Sequence, residues 1–71
     1  MNRVALEERL KLAERHVSQS ELEVARLREM IAEHRRDGRD SGSALSMLHQ
    51  FEQALASQIA NRDRLRKELG L

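Results

Sequence analysis

The sequence predicts an all-α protein, an antiparallel hairpin of two long helices that dimerises into a four-helix bundle. Three observations predict this class: a heptad pattern in the N-terminal half, one cluster of helix-breaking residues after it, and a second apolar stripe beyond that cluster. Pro is absent and Phe51 is the only aromatic residue, a composition that suits thin helical seams better than a sheet. With 71 residues, the chain is expected to form a single domain.

The first helix is predicted over residues 2–37, because neither Pro nor Gly interrupts this stretch. Asn2 is a suitable N-cap, and Glu7 lies one helical turn before Lys11, where the two can form an ion pair. Apolar residues recur at alternating spacings of three and four along one seam. With two polar members, this seam comprises Leu6, Leu10, Ala13, Val17, Ser20, Val24, Leu27, Ile31 and His34.

A loop over residues 38–43 separates the two helices. Gly38 can adopt the left-handed conformation that ends a helix, and Ser41 or Ser43 is the favoured N-cap of the next one, with Asp40 also suitable. The second helix is predicted over residues 44–69 and is stopped by Gly70. Gln58 and Arg62 interrupt its otherwise apolar stripe, which consists of Ala44, Leu45, Leu48, Phe51, Leu55, Ile59, Leu65 and Leu69.

Folding the chain back at this loop brings together residues whose numbers add to roughly 80. Leu10 then meets Leu69, Ala13 meets Leu65, and Ile31 meets Leu48 and Phe51. The predicted core seam consists of Leu6, Leu10, Val17, Val24, Leu27, Ile31, Leu48, Phe51, Leu55, Ile59, Leu65 and Leu69.

Ser20 and Gln58 are predicted to form a polar layer in the middle of the hairpin. One interpretation is an ordinary hydrogen bond that helices accommodate without further consequence. The other is a device that fixes register or oligomeric state, as polar residues in coiled-coil seams do. The sequence slightly favours the second interpretation.

Two features predict a homodimer with two-fold symmetry. The first helix exceeds the second by about nine residues, so Leu6 and the first turns are expected to project past Leu69 without a partner. Leu12 and Met30 also widen the apolar surface of the first helix to one side of its seam. A second hairpin would cover both.

Catalytic, cofactor and metal sites are not predicted, and the chain is not expected to be an enzyme. The chain has no Cys, and His16, His34 and His49 are too widely spaced to form a recognisable metal motif. The Ser and acidic residues form neither a nucleophile elbow nor a phosphate-binding loop.

The placement of basic residues suggests nucleic-acid binding as an alternative function, although the 13 basic and 12 acidic side chains nearly cancel in net charge. Near the predicted open end of the hairpin, the candidate nucleic-acid contacts are Arg62, Arg64, Arg66 and Lys67. A solvated face with local ion pairs is the favoured interpretation, because acidic residues are interleaved and no exposed aromatic residue is expected. We expect a cytoplasmic protein without a signal peptide or membrane anchor, since no apolar run approaches the ~20 residues of a membrane span.

The chain resembles a group of short, uncharacterised helical-hairpin proteins of alphaproteobacteria. The residues that carry this resemblance are His16-Val17, Glu21, Arg28-Glu29-Met30-Ile31, Asp37-Gly38-Arg39-Asp40-Ser41, Ala44, Met47-Leu48, Phe51-Glu52 and Arg62-Asp63-Arg64-Leu65. The resemblance implies a bacterial cytoplasmic protein and no particular activity. The expected architecture is also similar to that of Rop, a hairpin that dimerises into a four-helix bundle and binds paired RNA loops, but this is an analogy of fold alone.

The predicted function is therefore a non-enzymatic interaction or regulatory module, a homodimeric hairpin that docks a protein partner. One alternative is a Rop-like RNA- or DNA-binding protein that uses the arginine clusters. Another is a purely structural coiled coil that assembles further through its overhanging end.

Overall fold

A computed structural model describes residues 2–71 and contains two α-helices, α1 (Arg3–Arg36) and α2 (Gly42–Glu68). The helices pack against each other as an antiparallel hairpin that measures 53 × 15 × 14 Å. The predicted fold class, an all-α helical hairpin, is confirmed. No helix in the stretch that the structure describes is both long enough and apolar enough to cross a membrane.

The start of α1 follows the prediction, whereas the start of α2 differs in its cap. Asn2 Oδ1 accepts a hydrogen bond of 2.8 Å from the backbone N–H of Ala5, which satisfies one free donor of the first turn. Ser41 occupies the N-cap position of α2, but its side chain makes no capping hydrogen bond. Asp40 Oδ1 instead accepts from the N–H of Gly42 at 3.0 Å, and the helix begins two residues before the predicted start at 44.

Both helices end in the same hydrogen-bonded arrangement around a glycine. Gly38 has φ +72°, as predicted for the residue that ends α1, and Gly70 has φ +78° after α2. At the first end, the N–H of Arg39 donates to the carbonyl of His34 at 2.7 Å, and that of Gly38 donates to Arg35. These bonds define a Schellman motif, which closes the helix and turns the chain back.

The buried core is one seam between the helices, and most of it comes from α1. Its members are Leu10, Ala13, Val17, Val24, Leu27, Ile31, Ala44, Leu65 and Leu69. On α2, Leu48, Phe51, Leu55 and Ile59 are only half-buried, although the sequence places them in the core. A hairpin covers each apolar stripe from one side only, so the broad stripe of α2 keeps part of its surface in solvent.

Contacts between the helices confirm the predicted register. Ser20 faces Gln58, and Leu10 and Ala13 cluster with Leu65 and Leu69. The expectation that Leu6 projects without a partner is wrong, because Leu6 is half-buried and packs on this same cluster. No residue of α2 is level with Leu6, but Leu6 lies one turn before Leu10 and reaches the cluster that Leu10 forms with Leu69.

Candidate functional site

The heptad pattern gives the hairpin two broad faces, one on each side of the seam. Each heptad has two core positions, a and d, which form the seam. The residue directly after position d lies on one face, and the residue directly before position a lies on the other. Because the helices are antiparallel, like positions from both helices share a face. The two faces therefore hold different sets of side chains from α1 and α2.

The ion-pair face is the face that carries Glu14 and Arg28 on α1 with Glu52 and Arg66 on α2. Arg28 Nη2 lies 3.3 Å from Glu52 Oε2, and Arg66 Nη2 lies 3.2 Å from Glu14 Oε2. In each helix the acid precedes the base by two heptads, so antiparallel packing sets the acid of one helix opposite the base of the other. Both pairs join α1 to α2, so these four charges are paired within the chain. Each pair is largely solvated and contributes only ~0.2–1 kcal/mol.

The methionine face is the opposite face, defined by Leu12, His16, Met30, Met47 and Asn61. Met30 lies two heptads after His16 and Met47 lies two heptads before Asn61, so each pair shares one side of its helix. Three large apolar side chains here are exposed: Leu12 by 49%, Met30 by 45% and Met47 by 48%. This face thus combines exposed apolar surface with polar side chains, some of them charged, such as Arg9 and Glu23.

Each face has one shallow hollow. The Leu12 hollow, on the methionine face, has a volume of about 210 Å³ and is lined by Arg9, Leu12, Ala13, His16, Asn61, Arg64 and Leu65. The Leu45 hollow, on the ion-pair face near the loop, has a volume of about 270 Å³ and is lined by Arg28, Ile31, Ala32, Arg35, Leu45 and Leu48. The Leu12 hollow is close to the open end of the hairpin, so the two hollows are at opposite ends.

The four residues predicted as nucleic-acid contacts are brought to one end of α2, and three of them are engaged by the chain itself. Arg62 pairs with its neighbour Asp63 at 3.1 Å, and Arg64 pairs with Glu68 at 3.3 Å. Arg66 pairs across the hairpin with Glu14, while Lys67 is exposed. Arg62 is also half-buried in the seam, where the sequence places it.

The histidines do not converge. His16 lies on the methionine face and is exposed, as is His49, whereas His34 is half-buried at the loop end of the seam. Across residues 2–71, no group of three or more His, Asp or Glu side chains is arranged to hold a metal ion. The Nδ1 atom of His34 is buried and has no hydrogen-bond partner among the described residues. A ring nitrogen without a partner beside the loop marks a local cost of closing the seam there.

The polar layer is confirmed as a contact. Ser20 Oγ donates a hydrogen bond to Gln58 Oε1, and both side chains are partly buried between the helices. Neither of the two cross-helix ion pairs was expected, because the sequence reasoning covered only partners within one helix. The repeated spacing is the signal that could have found them, because Glu14 and Arg28 have the same order and separation as Glu52 and Arg66. Antiparallel packing then sets the acid of each helix opposite the base of the other.

Comparison of the chain with protein-family models, with curated proteins and with solved structures finds no match.

Proposed function

We propose that the protein is a non-enzymatic interaction module: two hairpins pair into a four-helix bundle, and the bundle docks a protein partner. The observation that carries this proposal is the exposed apolar surface of the methionine face. Large apolar side chains scattered singly are ordinary on protein surfaces. Here Met30 and Met47 come from adjacent helices at the same end, and Leu12 lines a hollow on the same face.

The half-buried stripe of α2 supports a second layer. Leu48, Phe51, Leu55 and Ile59 all keep part of their surface accessible, and no side chain among residues 2–71 is fully buried. Small helical proteins reach a stable core by adding a layer, and association of identical hairpins is the simplest way to add one. A homodimer therefore accounts for an apolar stripe that is broader than one neighbouring helix requires.

The Leu45 hollow supports a docking site for a protein partner. Its floor is apolar, formed by Ile31, Leu45 and Leu48, and Arg28 and Arg35 stand at its edge. A partner that brings an amphipathic helix with an acidic residue beside its apolar stripe matches both properties. Its apolar side chains fill the hollow and its carboxylate meets Arg35, whereas Arg28 already pairs with Glu52. This site is on the ion-pair face and remains free when the methionine face is covered.

The arginine clusters give less support to nucleic-acid binding than to this proposal. Arg62, Arg64 and Arg66 each have an acidic partner in the chain, and these pairs must open before the guanidinium groups can contact phosphates. A phosphate-binding stripe is expected to hold unpaired cations along one line. The intramolecular pairs therefore favour a structural role for these arginines.

The first experiment is light scattering coupled to size exclusion, over a wide range of protein concentrations and at two salt levels. The expected result is a constant mass of twice the 8.2 kDa chain at both salt levels. Apolar association changes little with salt, whereas binding to phosphates weakens steeply. A monomer at all concentrations contradicts the proposal, and a mass that keeps rising with concentration indicates open-ended assembly instead.

The partner site is tested by capture with purified variants. A protein retained by the unaltered chain and lost with Leu45→Glu, but kept with the matched control Leu22→Glu, is the expected result. Leu22 is 51% exposed and lies outside both hollows. The Leu22→Glu variant therefore introduces the same charge away from the proposed partner site. Retention of nucleic acid that disappears when Arg62, Arg64 and Arg66 are changed to Gln would overturn this interpretation in favour of the Rop-like alternative.

A further inference from the structure

We infer that the second copy docks on the methionine face in an antiparallel two-fold arrangement, with Met30 and Met47 of each hairpin seated at the Leu12 hollow of the other. This inference rests on the homodimer proposed above and adds its interface and symmetry. The methionines lie near the loop and the hollow lies near the open end of the same face. A two-fold axis perpendicular to the helices exchanges these ends, so the methionines of each copy lie at the hollow of the other.

The spacing on α1 places Met30 of one copy level with the Leu12 hollow of the other. Leu12 and Met30 are equally distant from Glu21 in the sequence, so an axis that passes level with Glu21 puts Met30 of one copy over Leu12 of the other. The two positions are ~27 Å apart along one helix, which keeps each methionine clear of its own hollow. Methionine is flexible enough to adapt to a hollow that is shallow and partly polar.

The same axis aligns α2. Ser57 lies level with Glu21 across the hairpin, one step along from the Ser20–Gln58 contact. Met47 of one copy then falls level with Lys67 of the other, about one helical turn from Arg64, whose side chain lines the hollow. Ala54 of one copy meets Ala60 of the other, so two small side chains face each other near the axis.

The charges on the methionine face of one copy are also complementary to those on the same face of the second copy. Arg9 and Glu33 are equally distant from Glu21, so the axis places the guanidinium of one copy beside the carboxylate of the other at both ends of the interface. Gln19 and Glu23 are matched in the same way, an amide donor against a carboxylate acceptor.

His16 meets Arg26, whose guanidinium donates to a neutral imidazole nitrogen. The axis therefore opposes no two side chains of fixed like charge along α1.

The size of the face fits a stable dimer. A face that is 53 Å long and 15 Å wide has an area of ~800 Å², which matches the surface that each partner buries in a standard protein interface. The ion-pair face has the same dimensions but a less favourable composition. Covering it would remove water from Arg28, Glu52, Glu14 and Arg66, and the pairs they already form repay that loss poorly.

Single-cysteine variants test the face and the symmetry, because the chain has no Cys of its own and each variant carries one thiol. A short bismaleimide is added to Gln19→Cys and to its matched control Ser18→Cys, which is the next residue back but lies towards the ion-pair face. A mixture of Arg9→Cys and Glu33→Cys chains is treated in parallel. The oligomeric mass of every variant is measured by light scattering before the reagent is added.

The expected result is a covalent dimer with Gln19→Cys, little or none with Ser18→Cys, and at least tenfold more of the mixed Arg9→Cys/Glu33→Cys product than of either self-linked product. Cross-linking of Ser18→Cys alone places the second copy on the ion-pair face and overturns the inference. Self-linking of Arg9→Cys and of Glu33→Cys indicates parallel hairpins and overturns the symmetry. Dimeric mass with no cross-link also rejects the interface, whereas a monomer rejects the homodimer itself.

Discussion

The ion-pair face and the methionine face are built by the same two helices at the same heptad spacing, and they differ in where their side chains find partners. On the ion-pair face, Arg28 reaches Glu52 and Glu14 reaches Arg66, so each charge is matched inside one chain. On the methionine face, Met30 and Met47 remain nearly half exposed. Charged side chains are long enough to satisfy each other across a hairpin, whereas apolar surface needs a further layer to leave water. The difference separates charges that the chain pairs by itself from apolar surface that stays exposed in a single hairpin.

Both faces depend on the seam beneath them, and the largest effect is expected there. Leu65 is 3% exposed and packs on Leu10 and Ala13, so Leu65→Ala is expected to lower the free energy of unfolding by ~2–5 kcal/mol. Urea unfolding followed by circular dichroism measures this loss. Leu22→Ala is the control, and its effect should stay within about 0.5 kcal/mol. Equal effects of the two variants would mean that the seam is not the common base of the faces.

The comparison predicts that acidic residues disrupt association on one face only. Changing both Met30 and Met47 to Glu is expected to raise the dimer dissociation constant roughly 100-fold, because four carboxylates would enter an apolar interface. The matched control changes Leu22 and Leu45 to Glu, which adds the same charge outside the methionine face. Sedimentation equilibrium distinguishes the two, and comparable dissociation in both would point to net charge rather than to a particular face.

The turn keeps the two faces aligned, and its glycine has a specific role. Gly38 has φ +72°, so Gly38→Ala is expected to destabilise the hairpin by ~1–2 kcal/mol through the steric conflict of a side chain in the left-handed region. Ser43→Ala, an exposed change in the first turn of α2, is the control. Thermal unfolding compares them, and an unchanged melting temperature for Gly38→Ala would mean that the chain turns back without this conformation.

The smallest effect is expected on the ion-pair face. Arg28→Glu should cost ~0.2–1 kcal/mol of stability, because the pair is solvated. Adding Glu52→Arg should restore most of this loss, because the acid and the base then simply exchange places. Neither variant should change the dimeric mass. Loss of the dimer with Arg28→Glu alone would remove the distinction between the two faces.

The helical hairpin and its register were predictable from the sequence because several independent signals agree. The seam, the single breaker cluster and the Asn2 cap each indicate the same element bounds, and the polar pair Ser20 and Gln58 allows only one alignment. The Schellman motif at Gly38 follows from the conformational freedom of glycine alone. Agreement of local and long-range preferences makes such features readable in a single sequence.

The surface was less predictable, because long charged side chains have several partners within reach at similar energy. Glu7 was expected to pair with Lys11 and instead lies 3.0 Å from Arg3. The cap of α2 shifted from a serine to Asp40 for the same reason, since either oxygen can reach a free N–H of the first turn. The burial of Leu6 was missed because pairing residues level with each other leaves none opposite Leu6, whereas the cluster that contains Leu10 and Leu69 extends one turn further and covers it.

The hydrogen bond from Ser20 to Gln58 has a consequence for staggered forms of the molecule. Sliding α2 by one heptad keeps apolar residues opposite apolar residues, but it leaves the Gln58 amide facing Leu27 or Ala13 in place of a hydroxyl. An amide without its partner in a half-buried layer costs ~1–3 kcal/mol, which makes each slid hairpin about five- to 150-fold rarer than the aligned one. Every chain then presents its methionines and its hollow at the same heights along the hairpin, which is the condition that the proposed two-fold assembly requires.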